Sequence, residues 1–311
     1  MVESSVLSFQ SNDGMEVVAR KWIQEDLPRP KALVQIAHGM AEHIMRYNHL
    51  AKELVAQGFF VYGNDHRGHG ETARKSNRHG YFADEDGFEK AVEDMQTLTS
   101  IMEKEYPGVP IILFGHSMGS FLSRRYIQLY GNELAGVILS GTGGDPGFMG
   151  KIGRMIASWE KKKKGSQSPS PLLNKLTFGN FNKAFRPNRT EFDWLTRNEK
   201  EVDQYIEDPL CGGIFSTGFF FDFLNGLETV HNPKHLHAVP TELPIYLISG
   251  SNDPVGGKNG KGVIESYQSF QKAGMENVTY KLYENARHEL LNEVNKDEVI
   301  RDVIDWIHQH I

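Results

Sequence analysis

The chain has 311 residues, a formal net charge of −6, and 39% hydrophobic and 24% charged residues, which suits one large α/β domain or a domain with an inserted subdomain. The acidic balance argues against nucleic acid as a partner, because phosphate binding wants a basic surface. Cys211 is the only cysteine, so no intrachain disulfide can form and a reducing, cytoplasmic compartment is expected.

In chain order, residues 1–10 carry Glu3 and lack a cationic start before a long apolar core, so they do not read as a signal peptide. Residues 6–10 and 15–23 are β-like runs joined by Ser11-Asn12-Asp13-Gly14, which predicts an N-terminal hairpin. After breaks at Pro28 and Pro30, an uncharged run over 32–37 ends at His38-Gly39-Met40. Residues 47–57 have helical spacing, with Leu50, Leu54 and Val55 on one face. Gly58 closes that helix, and a strand begins at 59–62. Asp65-His66-Arg67-Gly68-His69-Gly70 reads as a loop. Residues 87–106 repeat the helix period through Val92, Met95, Leu98 and Met102 and stop at Pro107. An apolar strand from Ile111 then runs into Gly115-His116-Ser117-Met118-Gly119, a helix-like segment follows, and 134–140 is another buried strand. This alternation predicts an α/β fold with a mostly parallel central sheet and helices on both faces.

The rhythm changes at Gly141. Residues 141–147 look like an exit loop, and 161–171, which open on four lysines, read as polar and mobile. Helical pieces are expected at 148–160, 171–180, 199–207 and 217–230. Buried strands resume at 243–250 and 278–283, and an amphipathic helix covers 297–311. The expected organisation is a core in two parts, 1–144 and 241–311, interrupted by an inserted helical lid at 145–240. No stretch reaches the roughly 18 apolar residues of a membrane span.

The chemistry is concentrated after the strands. Gly-x-Ser-x-Gly at the end of a buried strand and the start of a helix places a serine on a sharp turn, where side chains at Gly115 and Gly119 would collide with neighbouring elements. In a sheet with right-handed crossovers, active sites gather beyond the carboxyl ends of the strands. One later strand is followed by Gly250-Ser251-Asn252-Asp253-Pro254, and the next by Asn285-Ala286-Arg287-His288-Glu289. A nucleophile, an acid and a histidine therefore stand in the order Ser117, Asp253, His288. Asp222, Asp145 and Glu289 are conceivable substitutes for the acid. Two backbone N–H groups are needed for the oxyanion. Met118, directly after the serine, and Met40, after the third strand, are the candidates.

With these residues in view, the chain resembles the α/β-hydrolase superfamily, and within it the monoacylglycerol lipase and lysophospholipase group. The matching pieces are His38-Gly39-Met40-Ala41-Glu42-His43 with Arg46-Tyr47, Asp65 to Gly70, Gly115 to Gly119, Ser251-Asn252-Asp253-Pro254-Val255 and Ala286-Arg287-His288-Glu289. They span nearly the whole core in the expected order. The resemblance implies a triad of Ser117, Asp253 and His288, and a serine hydrolase cleaving esters of amphiphilic acyl substrates. The family's elbow often ends Gly-Gly, whereas this one ends Gly119-Ser120. The inserted region varies most within the group, so substrate identity transfers poorly.

Other signals have plainer readings. Asp65 to Gly70, and Glu42, His43, Arg46 and Tyr47, read as hydrogen-bonding scaffold around the oxyanion loop, and His116 as packing beside the elbow. Phe219, Phe220, Phe221, Phe223 and Leu224 read first as packing within the insertion, with some available to line an acyl pocket. Lys161 to Lys164 read as a solvated loop, with transient contact to an anionic membrane surface as the weaker alternative. Cys211 reads as inert. No metal or organic cofactor and no obligate protein partner is expected; the partner is a small-molecule acyl ester. Two competing functions share this machinery: an amidase or aminopeptidase of the same fold, and a non-catalytic ligand-binding scaffold.

Overall fold

The computed structural model describes residues 2–311; Met1, the first residue of the expected leading core segment, lies outside the described residues. Strands β1 (Val2–Gln10) and β2 (Glu16–Gln24) form the expected hairpin, with Val2 opposite Gln24 and Gln10 opposite Glu16. The remaining strands are β3 (Ala32–Ala37), β4 (Phe59–Asn64), β5 (Ile111–His116), β6 (Gly136–Ser140), β7 (Ile245–Gly250) and β8 (Val278–Tyr283). They make one eight-stranded sheet in the order β1-β2-β4-β3-β5-β6-β7-β8. β2 pairs antiparallel with β1 and with β4, and every pair from β4 to β8 is parallel.

The helices are α1 (Asn48–Ala56), α2 (Gly70–Ser76), α3 (Gly87–Glu105), α4 (Met118–Tyr130), α5 (Gly147–Lys164), α6 (Pro171–Phe178), α7 (Glu199–Glu207), α8 (Thr217–Val230), α9 (Pro233–Leu236), α10 (Lys261–Lys272) and α11 (Lys296–Gln309). Alternation along β5 explains the layers. Ile112 and Phe114 point into a cluster with Leu50 and Leu54 of α1 and Val303 and Trp306 of α11. Leu113 points the other way, toward Val92 of α3, Leu122 of α4 and Phe270 of α10. A strand buried on both faces must be apolar throughout, as β5 is.

Helices α5 to α9 lie between β6 and β7. Phe219, Phe220 and Phe223 of α8 pack into the cluster under α3 and α4 rather than only within the inserted segment, and Phe223 also lines the cavity beside Ser117. The lysine run is a correction. Lys161 to Lys164 are the last turn of α5 rather than a loop, where cations face the negative end of the helix dipole. The segment after it is fixed: buried Ser170 Oγ accepts from Leu173 N–H at 3.1 Å and caps α6. Three helices lie outside the expected pieces, the short α9 among them. α2 begins at the last glycine of the Asp65–Gly70 stretch, and α10 fills the crossover between β7 and β8. No helix among the described residues is long and apolar enough to cross a membrane.

Candidate active site

The turn after β5 is as tight as its glycines imply. Ser117 has φ 52° and ψ −118°, outside the regions open to most L-residues, which costs about 1–3 kcal/mol. A Cβ on Gly119 would lie 2.0 Å from Ala37 O, and one on Gly115 would lie 2.3 Å from Ser123 Oγ. The elbow therefore presses its helix against β3 and against its own strand. Ser120 fits the second position: it is buried, and its hydroxyl donates to Ser117 O at 2.6 Å.

Facing the elbow is the loop after β3. A Cβ on Gly39 would come within 3.3 Å of Ser117 Cβ. Its conformation is set from both sides. Glu42 Oε1 accepts from Gly39 N–H at 2.5 Å, and the same carboxylate is held by Tyr47 OH at 2.8 Å and Arg46 at 2.9 Å. Arg46 is in turn gripped by both oxygens of Glu289 at 2.5 and 2.7 Å, a bidentate pair of the strong kind. Burial would raise the Glu289 pKa, but Arg46 overrides it and holds the carboxyl down at about 2.

On the other side stands His38. Burial lowers its pKa to about 3, so it is neutral. Its Nε2 accepts from His66 N–H at 3.0 Å, which leaves Nδ1 to donate to Gly39 O at 2.7 Å. Pinning that carbonyl fixes the Gly39–Met40 peptide plane, and with it the direction of the Met40 N–H. Asp65 accepts from the N–H groups of Ile44 and Glu71, so the charged stretch after β4 is the brace the residues suggested.

The candidate acid and base, Asp253 and His288, stand just after the last two strands. Asp253 is 1% and His288 2% exposed. His288 Nδ1 lies 2.9 and 3.0 Å from the two oxygens of Asp253. The carboxylate is oriented by Val255 N–H at 2.8 Å and Ser249 Oγ at 3.1 Å. The two loops touch through backbone: a Cβ on Gly250 would sit 2.1 Å from Ala286 O. Burial alone would lower the histidine pKa and raise the aspartate pKa. Their mutual attraction reverses both, so His288 stands above its ordinary value and Asp253 below. The three alternative acids are engaged elsewhere: Asp222 with Gly87 N–H, Asp145 with Gly147 N–H, and Glu289 with Arg46.

Ser117, His288, Met40 and Met118 all line one cavity of about 700 Å³. His116 packs beside His288 with ring centroids 4.7 Å apart, and burial lowers its pKa to about 4.

The insertion contributes contacts that residue types alone did not indicate. The Trp194 ring lies 5.0 Å from that of His288. Residues 193–197 are stitched to the histidine loop: Glu289 N–H donates to Leu195 O at 2.7 Å and Thr196 Oγ to Asn292 O at 2.9 Å. Arg197 Nε donates to buried Glu293 at 2.8 Å, and the same carboxylate accepts from Arg287 N–H at 2.8 Å. These partners are nearly a hundred positions apart in the chain, and no local pattern marks them.

The Hydrolase_4 family, described as serine aminopeptidase S33, matches residues 28–295. The chain is similar to the monoacylglycerol lipase of Mycolicibacterium smegmatis, with 28% identity over 308 residues, covering 98% of this chain and 97% of that protein. It is also similar to the monoglyceride lipase of Mus musculus, with 28% identity over 307 residues, covering 96% and 89%. Among solved structures it is similar to a highly thermostable carboxyl esterase from Bacillus coagulans in complex with glycerol. That likeness has a TM-score of 0.91 and 30% identity, over 100% of this chain and 99% of the other. Strand order, elbow and sequence kinship agree: the chain belongs to the serine aminopeptidase S33 family of α/β-hydrolases and is monoacylglycerol-lipase-like.

Proposed function

We propose that the chain hydrolyses carboxylic esters of amphiphilic acyl substrates, of monoacylglycerol or lysophospholipid type, through an acyl-enzyme on Ser117. Kinship with named lipases and esterases makes it a carboxylic ester hydrolase; the mechanism and substrate class are the reading offered here. The observation that carries it is the buried Asp253–His288 pair opening onto the cavity that holds Ser117.

In this reading Asp253 keeps the proton of His288 on Nδ1, so Nε2 accepts the Ser117 proton as Oγ attacks the ester carbonyl. The N–H groups of Met40 and Met118 stabilise the oxyanion, and the second belongs to the first turn of α4, where amides have no helical acceptor. His288 then protonates the leaving alcohol and activates water for deacylation. Every step uses the chain's own groups and water.

Substrate class rests on the cavity walls. Phe121, Phe178, Phe181, Phe223 and Leu227 give an apolar lining, where each buried methylene of an acyl chain contributes about 0.8 kcal/mol. The insertion, residues 145–240, serves as the lid over this cavity. On its outer side α5 exposes Phe148, Met149, Met155 and Trp159 beside Lys151 and the lysines of its last turn. Apolar and cationic groups on one helix suit transient contact with an anionic lipid surface, where such substrates reside.

A fluorophosphonate probe and a substrate panel test the reading. Labelling is expected in the native protein and absent in Ser117→Ala; equal labelling of both sinks the nucleophile. Monoacylglycerols and lysophosphatidylcholine are expected to turn over faster than short p-nitrophenyl esters or aminoacyl amides. Faster cleavage of the amides than of every ester would establish the aminopeptidase alternative instead.

A further inference from the structure

One side-chain cluster lies outside the mechanism above. His43 follows Glu42 on the loop after β3, and Asp208 and Cys211 sit in the turn after α7. Among the described residues, these three form the one group of His, Cys, Asp and Glu side chains whose candidate ligand atoms all lie within 4.8 Å of one another. We infer that His43, Asp208 and Cys211 bind a divalent cation of borderline softness, zinc above all, and that the bound ion clips the oxyanion loop to the insertion.

The donor set is one imidazole nitrogen, one carboxylate oxygen and one sulfur. That mixture favours zinc over magnesium or calcium, which take oxygen ligands. Zinc holds its ligands at about 2.0–2.3 Å, which sets them roughly 3.3–3.8 Å apart in a tetrahedron.

The backbone around it is already arranged. Cys211 N–H donates to Asp208 O at 3.0 Å, closing the turn that carries both side chains. Leu210 N–H donates to Asp208 Oδ1 at 2.8 Å, which orients the carboxylate and leaves Oδ2 facing His43 Nε2 at 2.8 Å. An N–H that orients a ligating carboxylate in this way is the usual outer-shell support of a metal ligand. The two chain segments are joined beside the site as well: Ala41 O accepts from Gly212 N–H at 3.0 Å and from Tyr205 OH at 2.9 Å.

Burial and nearby carboxylates push the Cys211 thiol up, so it is protonated until a cation offsets their charge. Asp208, Glu42 and Glu289 all stand near the Cys211 sulfur, against the single guanidinium of Arg46, which those two glutamates already pair. The surplus is negative. Asp208 and Cys211 are partly open to solvent, which provides an entry path and a place for water as the fourth ligand. On binding, the Cys211 thiol loses its proton to solvent as the metal–sulfur bond forms. The His43 Nε2 proton passes through solvent to Nδ1, so the His43–Asp208 hydrogen bond gives way to two metal–ligand bonds.

The test titrates the full chain with cobalt(II), the spectroscopic stand-in for zinc, and then with zinc. Because Cys211 is the only thiol in the chain, a thiolate-to-cobalt charge-transfer band reports this site and no other. One equivalent of cobalt is expected to produce the band, zinc to displace it, and either metal to raise the melting temperature. Cys211→Ser is expected to abolish the band and the thermal shift, and Asp208→Ala to weaken cobalt binding at least tenfold. Cobalt bound without the band overturns the inference. So does a zinc-induced thermal shift that Cys211→Ser and Asp208→Ala leave unchanged. Ester turnover is not measured, so failure of the hydrolase reading leaves this result intact.

Discussion

Ser117, Asp253 and His288 stand on loops fixed by backbone pressed against backbone. Gly119 lies against Ala37 O and Gly250 against Ala286 O, at distances no side chain could share. The insertion between β6 and β7 is secured differently. Hydrogen bonds and ring contacts hold it to the histidine loop, from the side chains of Trp194, Arg197 and Thr196 and from the backbone carbonyls of Trp194 and Leu195, and most of the large exposed apolar side chains among the described residues lie on it. The first region has one conformation that satisfies its contacts. The second offers a surface and a wall whose details can change while the elbow stays as it is.

The sharpest way to break this contrast is at the acid. Asp253→Asn keeps the shape of the site and removes the charge that orients His288, so kcat is expected to fall about 10⁴-fold with the unfolding transition nearly unmoved. The pH profile sharpens the same point. Only neutral His288 can accept the serine proton, and its pKa is raised, so kcat/KM in the native protein is expected to rise with pH through a midpoint above about 6.5, the ordinary histidine value. In Asp253→Asn, burial is left without its opponent, and the residual limb is expected to move down. A midpoint that does not move between the two proteins would show that Asp253 is not the partner.

Gly119→Ala addresses the backbone side of the contrast. With its Cβ 2.0 Å from Ala37 O, the variant is expected to lose about 3 kcal/mol in urea unfolding, and its activity with it. On the insertion the effects shrink. Trp194→Ala removes the ring beside His288 but no proton carrier, so kcat/KM is expected to fall roughly 10- to 100-fold, and the pH midpoint is expected to move up because a group that buries His288 is gone. Smallest of all, Trp159→Ser on the outer face of α5 is expected to change stability by no more than about 0.5 kcal/mol. Turnover of a short soluble ester should be unaffected, and affinity for anionic vesicles should drop. A stability loss as large as that of Gly119→Ala would mean that α5 is packed rather than exposed.

These two regions were also unequally readable. The elbow and the candidate residues Asp253 and His288 could be picked out because each depends on its own few residues and on the strand before it: apolar β5 into Gly115–Gly119, β7 into Asp253, β8 into His288. The structure brings the last two into direct contact and gives the other candidate acids different partners. Trp194 over His288, and Arg197 on Glu293, depend on residues far apart in the chain, so nothing local distinguishes them from ordinary surface residues. The lysines at 161–164 were misread for a different reason. Four like charges resemble a solvated loop, yet lysine is a good helix former and belongs at a helix C-terminus. Helix α10 was unmarked because three glycines, Gly256, Gly257 and Gly260, precede it, and its buried face rests on few residues.

The seam between residues 193–197 and 287–293 carries a consequence for anyone exchanging the insertion between relatives. His288 N–H and Glu289 N–H take their backbone acceptors from Trp194 and Leu195, so the histidine loop is completed by a piece of the very segment that would be replaced. A graft cut at the ends of β6 and β7 removes that piece along with the pocket walls. A chimera that keeps residues 193–197 and 287–293 from one parent, and swaps α5 and α6 around them, preserves the scaffold of the base while changing what the cavity admits.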